Sequence, residues 1–198
     1  MPKKDKRQTI LSCAEELFLS KRFDQVTLED IRIRAQVGKG TIYRFFESKE
    51  DLYAHVLLAG LDTLYDTLQH TIQEHGSHEY KLAAAATALD QFFRRRRGLF
   101  RPLYASDARR MMRTPGRREE FRAHKKRILE PVAAIIRDGI ADGSFRNTLP
   151  ATAAARVFMS VVREGAAAEE RDGTSPVPIE ELLNLFLSGI RNSQNHAT

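Results

Sequence analysis

The sequence predicts an all-α fold of about nine helices, a small three-helix head followed by a larger helical body. Three observations predict it. Apolar residues recur at steps of three and four along nearly the whole chain. Glycine and proline fall between these periodic segments, at Gly76, Gly98, Pro115-Gly116, Gly143 and Pro150. No stretch shows the strict alternation of a half-buried strand.

The head is expected over residues 1–50 and the body over 51–198. Lys6 to about Ser20 forms a first helix through Ile10, Ala14, Leu17 and Phe18, preceded by a loose basic arm of Lys3, Lys4, Lys6 and Arg7. Thr27 with Asp30 three residues on is a helix start of the capping-box type, and Leu28, Ile31 and Ala35 give that helix its apolar side. Gln36-Val37-Gly38 breaks the pattern. A further short helix buries Ile42, Phe45 and Phe46 and leaves Lys39, Thr41, Tyr43 and Arg44 largely on its other side. Ile31, Val37, Ile42 and Phe46 should join the first helix in one small core. Two short helices across a tight turn, the second with cationic and hydroxyl groups outward, satisfy what a helix-turn-helix requires.

In the body, Ser48 with Asp51 starts a helix that runs from Lys49 to about His75 through Leu52, Val56, Leu64, Leu68 and Ile72. Helices are then expected at Glu79–Arg97, which Gly98 ends, at Arg101–Arg113, and at Arg117–Asp142 with Pro131 inside. An Ala-rich helix opens at Pro150, a polar loop spans Glu169–Pro178, and a last helix covers Ile179 to about Arg191.

Composition narrows the function classes. The 198 residues are 42% hydrophobic and 29% charged, which is ordinary for a globular chain. The one cysteine, Cys13, excludes an internal disulfide, and no apolar run approaches the ~20 residues of a membrane span. With a polar N-terminus, these features favour a cytoplasmic protein without a membrane partner. Net charge is +6, unevenly placed: +2 over 1–56, −4 over 57–93, +11 over 94–127 and −3 over 128–198. The basic excess thus lies outside the head, so a DNA-binding reading rests on the motif and not on charge. No nucleophile elbow, zinc-protease helix or phosphate-binding loop is present, which argues against an enzyme, and no cofactor is called for. His70, His75 and His78 lack carboxylate or thiol partners at ligand spacing and read as solvated, with no metal site expected.

The string VGKGTIYRFFESKEDLYAHVL resembles the recognition-helix region of the TetR/AcrR family of bacterial transcriptional regulators. Lys39-Gly40-Thr41-Ile42-Tyr43, the pair Phe45-Phe46 and Ser48-Lys49-Glu50-Asp51-Leu52 carry the resemblance, in register across two helix boundaries. The family often has glycine where this chain has Gln36, a departure that matters if the turn is left-handed. The resemblance implies a helix-turn-helix head on a body that binds an effector and dimerises. It implies Lys39, Thr41 and Arg44 as readers of base edges, Gly40 as the point of close approach to double-stranded DNA, and Tyr43, Lys49 and the helix start at Thr27 as phosphate contacts.

A homodimer on a palindromic operator follows from geometry, since one recognition helix spans too few base pairs. Its interface is expected on the last two helices, at Ala151, Ala154, Ala155, Leu182, Leu183, Phe186 and Ile190. The resemblance further implies an effector pocket, for which Phe92, Phe93, Phe100, Leu103, Tyr104, Met111, Met112, Phe121, Phe158 and Met159 are the candidates. The expected effector is an apolar or amphipathic small molecule, carboxylated ones included, with one or two arginines of the 94–127 block at its head group. Two other readings stand beside a ligand-released repressor: a DNA-binding dimer without a small effector, and a helical protein or enzyme carrying a chance helix-turn-helix.

Overall fold

A computed structural model of the chain describes residues 3–73, 75–100, 116–172 and 177–192. Nine α-helices are formed by these residues. They are α1 (Lys3–Ser20), α2 (Leu28–Arg34), α3 (Lys39–Phe45), α4 (Lys49–Gln73), α5 (His78–Arg95), α6 (Arg97–Phe100), α7 (Arg117–Ala141), α8 (Ala151–Asp172) and α9 (Ile179–Ile190). The fold is all-α as expected; the sheet-like pairing among the described residues is an isolated antiparallel bridge between Phe145 and Arg191. The helix expected at Arg101–Arg113, with Leu103, Tyr104, Met111 and Met112, lies outside the described residues.

Three element boundaries differ from expectation. The basic arm is helical from Lys3, because lysine, arginine and glutamine are good helix formers and no breaker follows Pro2. Helix α8 continues through Asp172 instead of yielding to a loop at Glu169, its Glu-Glu-Arg segment being equally helix-compatible. Gly98 does not end α5 but lies within α6. A Cβ at that position would stand 3.1 Å from the Leu19 carbonyl oxygen and 3.2 Å from that of Phe18. The glycine therefore serves close backbone approach of α6 to the end of α1 rather than termination.

The chain forms two compact units. The first comprises Met1–Leu61 and Arg96–Arg122. Most of the expected core is buried, namely Ile10, Ala14, Phe18, Ile31, Val37, Ile42 and Phe46, while Leu17 and Phe45 are only half-buried. Phe18, Phe23 and Tyr53 extend it as an aromatic trio with centroids 5.0–5.8 Å apart. The Tyr53 hydroxyl donates to the Leu99 carbonyl, giving that buried phenol its partner. Arg96 reaches Glu15 at 2.9 Å. Arg117, 8% exposed, reaches Asp51 at 2.6 Å.

The second unit comprises Asp62–Arg95 and Ala123–Thr198. Here α5, α8 and α9 pack against one another around Leu82, Leu89, Ala155, Phe158, Val162 and Phe186. One end is fastened by polar groups. Arg191 pairs with Glu79 through two 2.6 Å hydrogen bonds, and His78 Nε2 lies 2.7 Å from Asp142 Oδ2. Asp142 also accepts from the Ser144 N–H at 3.0 Å. The bonds from Ser144, then His78, hold its carboxyl at about 2 against an ordinary 3.8. A folded-state value below the unfolded one contributes stability that is present above pH 3.8 and is lost as pH falls through 2. Asp142→Asn is therefore expected to lower the melting temperature at pH 7, with the gap to the parent closing as pH drops toward 2 in circular-dichroism melts. A gap of equal size at pH 7 and pH 2.5 would count against this assignment.

Candidate nucleic-acid interface

The outward face of the head is built by local rules. Thr27 caps α2: its hydroxyl accepts from the Asp30 N–H at 3.1 Å, and the Asp30 carboxylate accepts from the Thr27 N–H at 2.9 Å. The hydroxyl also donates to that carboxylate at 2.6 Å, so both halves of the predicted box are made. These bonds, the hydroxyl's first, hold the Asp30 carboxyl below its ordinary range. With its hydroxyl so engaged, Thr27 leaves the exposed start of α2 without a free side-chain hydroxyl.

The turn after α2 closes with two bonds, from the Gln36 N–H to the Ile33 carbonyl and from the Val37 N–H to the Arg32 carbonyl, each 3.2 Å. This is a Schellman closure with Gln36 at its left-handed position, φ +52°. Glycine takes that conformation freely; a side chain there costs about 1 kcal/mol. The departure noted in the sequence is thus a real backbone cost.

Beyond the turn, α3 turns Ile42 into the core at 1% exposure, and Phe46 follows it inward. At 100° per residue, Gly40 and Arg44 fall opposite these two, with Thr41 and Tyr43 flanking, whereas Lys39, expected on that other side, falls within 60° of Ile42 and is exposed as the first residue of the helix. Lys39, Gly40, Tyr43 and Arg44 are exposed and Thr41 is half-buried. Tyr43 is 53% exposed. A Cβ on Gly40 would meet nothing within 4 Å, so no contact within the chain requires glycine there. Arg44 rests on the Phe45 ring at 5.1 Å, which limits its swing. Lys49 stands apart from this row. Its ammonium donates to the Phe23 carbonyl at 2.8 Å and lies 4.3 Å from that ring's centre, bracing the segment that leads into α2.

The remaining predicted residues are spread through both units. Phe100 and Phe121 lie in the first, buried and half-buried; Phe92, Phe93, Phe158 and Met159 lie in the second, where Phe92 and Phe158 are buried. Leu103, Tyr104, Met111 and Met112 are outside the described residues. Of the expected dimer residues, Ala154, Ala155, Phe186 and Ile190 are buried within the chain, and Ala151, Leu182 and Leu183 are half-buried. On the same two helices the exposed large apolar side chains are Val157, at 47%, and Leu185, at 69%. Neither is among the seven interface residues expected from the sequence. The sequence shows that α9 is broadly apolar, but not which of its faces is left uncovered.

Residues 10–56 match the family model described as bacterial regulatory proteins, tetR family. The chain is 25% identical to the HTH-type transcriptional regulator YfiR of Bacillus subtilis, over 80% of its own length and 77% of that protein's. It is 27% identical to the HTH-type transcriptional repressor KstR2 of Mycolicibacterium smegmatis, over 73% and 69%. Among solved structures, the transcriptional regulator FadR of Bacillus subtilis, in complex with stearoyl-CoA, superposes with a TM-score of 0.73 at 21% identity, over 93% of this chain and 99% of that one. These relatives are transcriptional regulators, not enzymes.

Proposed function

From the match of its head to the tetR-family model, we propose that this chain is a TetR-family transcriptional regulator, a homodimeric repressor released from a palindromic operator by an amphipathic small molecule. The observation that carries the DNA reading is the exposed row on α3 opposite a buried Ile42. Arg44 and Lys39 donate to guanine O6 and N7, the Thr41 methyl meets a thymine methyl, and Gly40 lets the backbone come close. Tyr43 and the α2 start at Thr27 contact phosphates, which fix register without reading sequence. Lys49 acts on the same register by holding Phe23 and the loop into α2.

Thr41→Ala is accordingly expected to change which duplex is preferred, with a loss of about tenfold on the favoured one and little change on a scrambled one. Binding titrations on a duplex selected from a random pool, against its scrambled version at two salt concentrations, measure this. Equal losses on both duplexes would sink the assignment.

The effector class rests on a different observation. FadR, which shares the fold, was solved with stearoyl-CoA, a long apolar chain on an anionic nucleotide head. The second unit offers Phe92, Phe93, Phe158 and Met159 for an apolar tail and Arg95, at the start of the basic block, for an anionic head. We take the effector to be a long-chain acyl thioester or carboxylate. It releases DNA by binding more tightly to a state in which α4 holds the two α3 helices at the wrong separation. In a thermal-shift assay stearoyl-CoA should raise the melting temperature by about 5 °C at saturation and release the selected duplex, while coenzyme A alone does neither. If a cationic amphiphile does both and the acyl compounds do nothing, the anionic class is wrong.

A further inference from the structure

We infer that Arg32 is a positioning residue for DNA recognition: its guanidinium braces the turn between α2 and α3 and compensates for the side chain at Gln36. The inference rests on the DNA-binding reading above. In a Schellman closure the residue contributing the third-from-last helical carbonyl and the residue past the left-handed position often make an apolar contact. Here those two residues are Arg32 and Val37, and the contact is polar. Arg32 Nη1 donates to the Val37 carbonyl at 3.2 Å, while the Arg32 carbonyl accepts from the Val37 N–H at the same distance. One residue thus grips the Val37 peptide unit on both sides of its Cα. The Val37 side chain is buried, and Gly38 behind it is the first residue flanking α3. The direction of the 36–38 backbone therefore sets the direction in which α3 leaves the turn.

The brace is itself held. Glu29, one turn earlier on α2, takes Arg32 Nε at 2.8 Å and Nη2 at 2.5 Å, a two-point grip that fixes the guanidinium plane. Arg32 is only 28% exposed along its side chain, so its charge is turned to the turn rather than outward like that of Arg44. Lysine could not serve equally, since it lacks the planar fork that binds Glu29 and Val37 together. Gln36 sits in a conformation that a side chain resists, and without the brace the turn is free to relax toward one that tips α3. A glycine at 36 removes that tendency, which makes the two positions energetically coupled.

The test uses the full chain in four forms: parent, Arg32→Ala, Gln36→Gly and the double variant. Each is titrated against the duplex that the parent selects from a random pool and against its scrambled version, at two salt concentrations. Arg32→Ala is expected to weaken the selected duplex about tenfold and the scrambled one less than twofold, with an unchanged salt slope. Gln36→Gly should recover most of that loss in the double variant. Equal losses on both duplexes with a slope reduced by about one would make Arg32 a phosphate contact and overturn the inference. So would a double variant as weak as Arg32→Ala alone. Amide exchange in the free proteins decides the brace without DNA: the Val37 N–H should exchange about tenfold faster in Arg32→Ala, with Ile42 unaffected, and slow again with glycine at 36. Unchanged Val37 exchange overturns the inference even if no duplex is selected, an outcome that separately removes the DNA reading. Should Arg32→Ala fail to fold, Glu29→Gln loosens the same grip, and it must show smaller effects of the same pattern.

Discussion

Arg117→Ala is expected to destabilise the first unit by about 3 kcal/mol, the range found when one partner of a buried ion pair is removed. The side chains of Arg117 and Asp51 are 9% and 11% exposed, and their 2.6 Å contact joins the first turn of α7 to the first turn of α4. Asp51 has other duties. Its N–H donates to the Ser48 hydroxyl at 3.0 Å, and its carboxylate accepts from the Glu47 N–H at 3.1 Å. Without Arg117 that carboxylate would keep one backbone donor and the half-buried His55 at 3.4 Å, too little to compensate a charge in that position. A fall of about 6–12 °C in melting temperature follows for a chain of this size. Replacing both partners, Arg117→Met with Asp51→Asn, should recover much of the loss, because the uncompensated charge goes with its partner. A single-variant shift below 1 °C would refute the account.

Arg117 also shows where the sequence stops being informative. It stands among fourteen basic residues in 94–127, a block that reads as a solvated surface. Several of these arginines instead take an acid: Arg94 with Asp90, Arg96 with Glu15, Arg117 with Asp51 and Arg127 with Asp62. Only the first pair has helical spacing. The Arg96 and Arg117 partners are 81 and 66 residues away, and no local pattern encodes such pairing. The helix-turn-helix was legible for the opposite reason. Its caps, its turn and its buried row lie within a few residues of one another, so spacing alone specifies them. Gly98 is the intermediate case. Its role as a breaker is the ordinary reading of an isolated glycine, and only the carbonyl oxygens of Phe18 and Leu19 reveal that it serves close approach. Gln36 was legible as a departure but not as a compensated one, because the Arg32 guanidinium that steadies the turn does so through its side chain.

Leu185→Glu is expected to separate the proposed homodimer and remove operator binding together. Phe186 is the more conspicuous residue in the sequence, but it packs on Phe158 with centroids 5.2 Å apart and is 8% exposed. A charge there would damage the body before it tested any interface. One residue back, 100° around the helix, Leu185 is 69% exposed. Burying one leucine contributes about 1.5–3 kcal/mol, and two-fold symmetry counts it twice. Glutamate would forfeit both contributions and, if the two copies face each other, set two carboxylates together. Dimer affinity should therefore fall by at least about 100-fold. Sedimentation equilibrium would show monomer at micromolar concentration with helical content unchanged by circular dichroism. Operator affinity should fall with it, since a single α3 then faces a single half-site. Val157→Glu on α8, at 47% exposure, should do the same more weakly. A Leu185→Glu protein that stays dimeric and binds the selected duplex like the parent would place the interface elsewhere. A monomer with full affinity would mean instead that recognition does not need two heads.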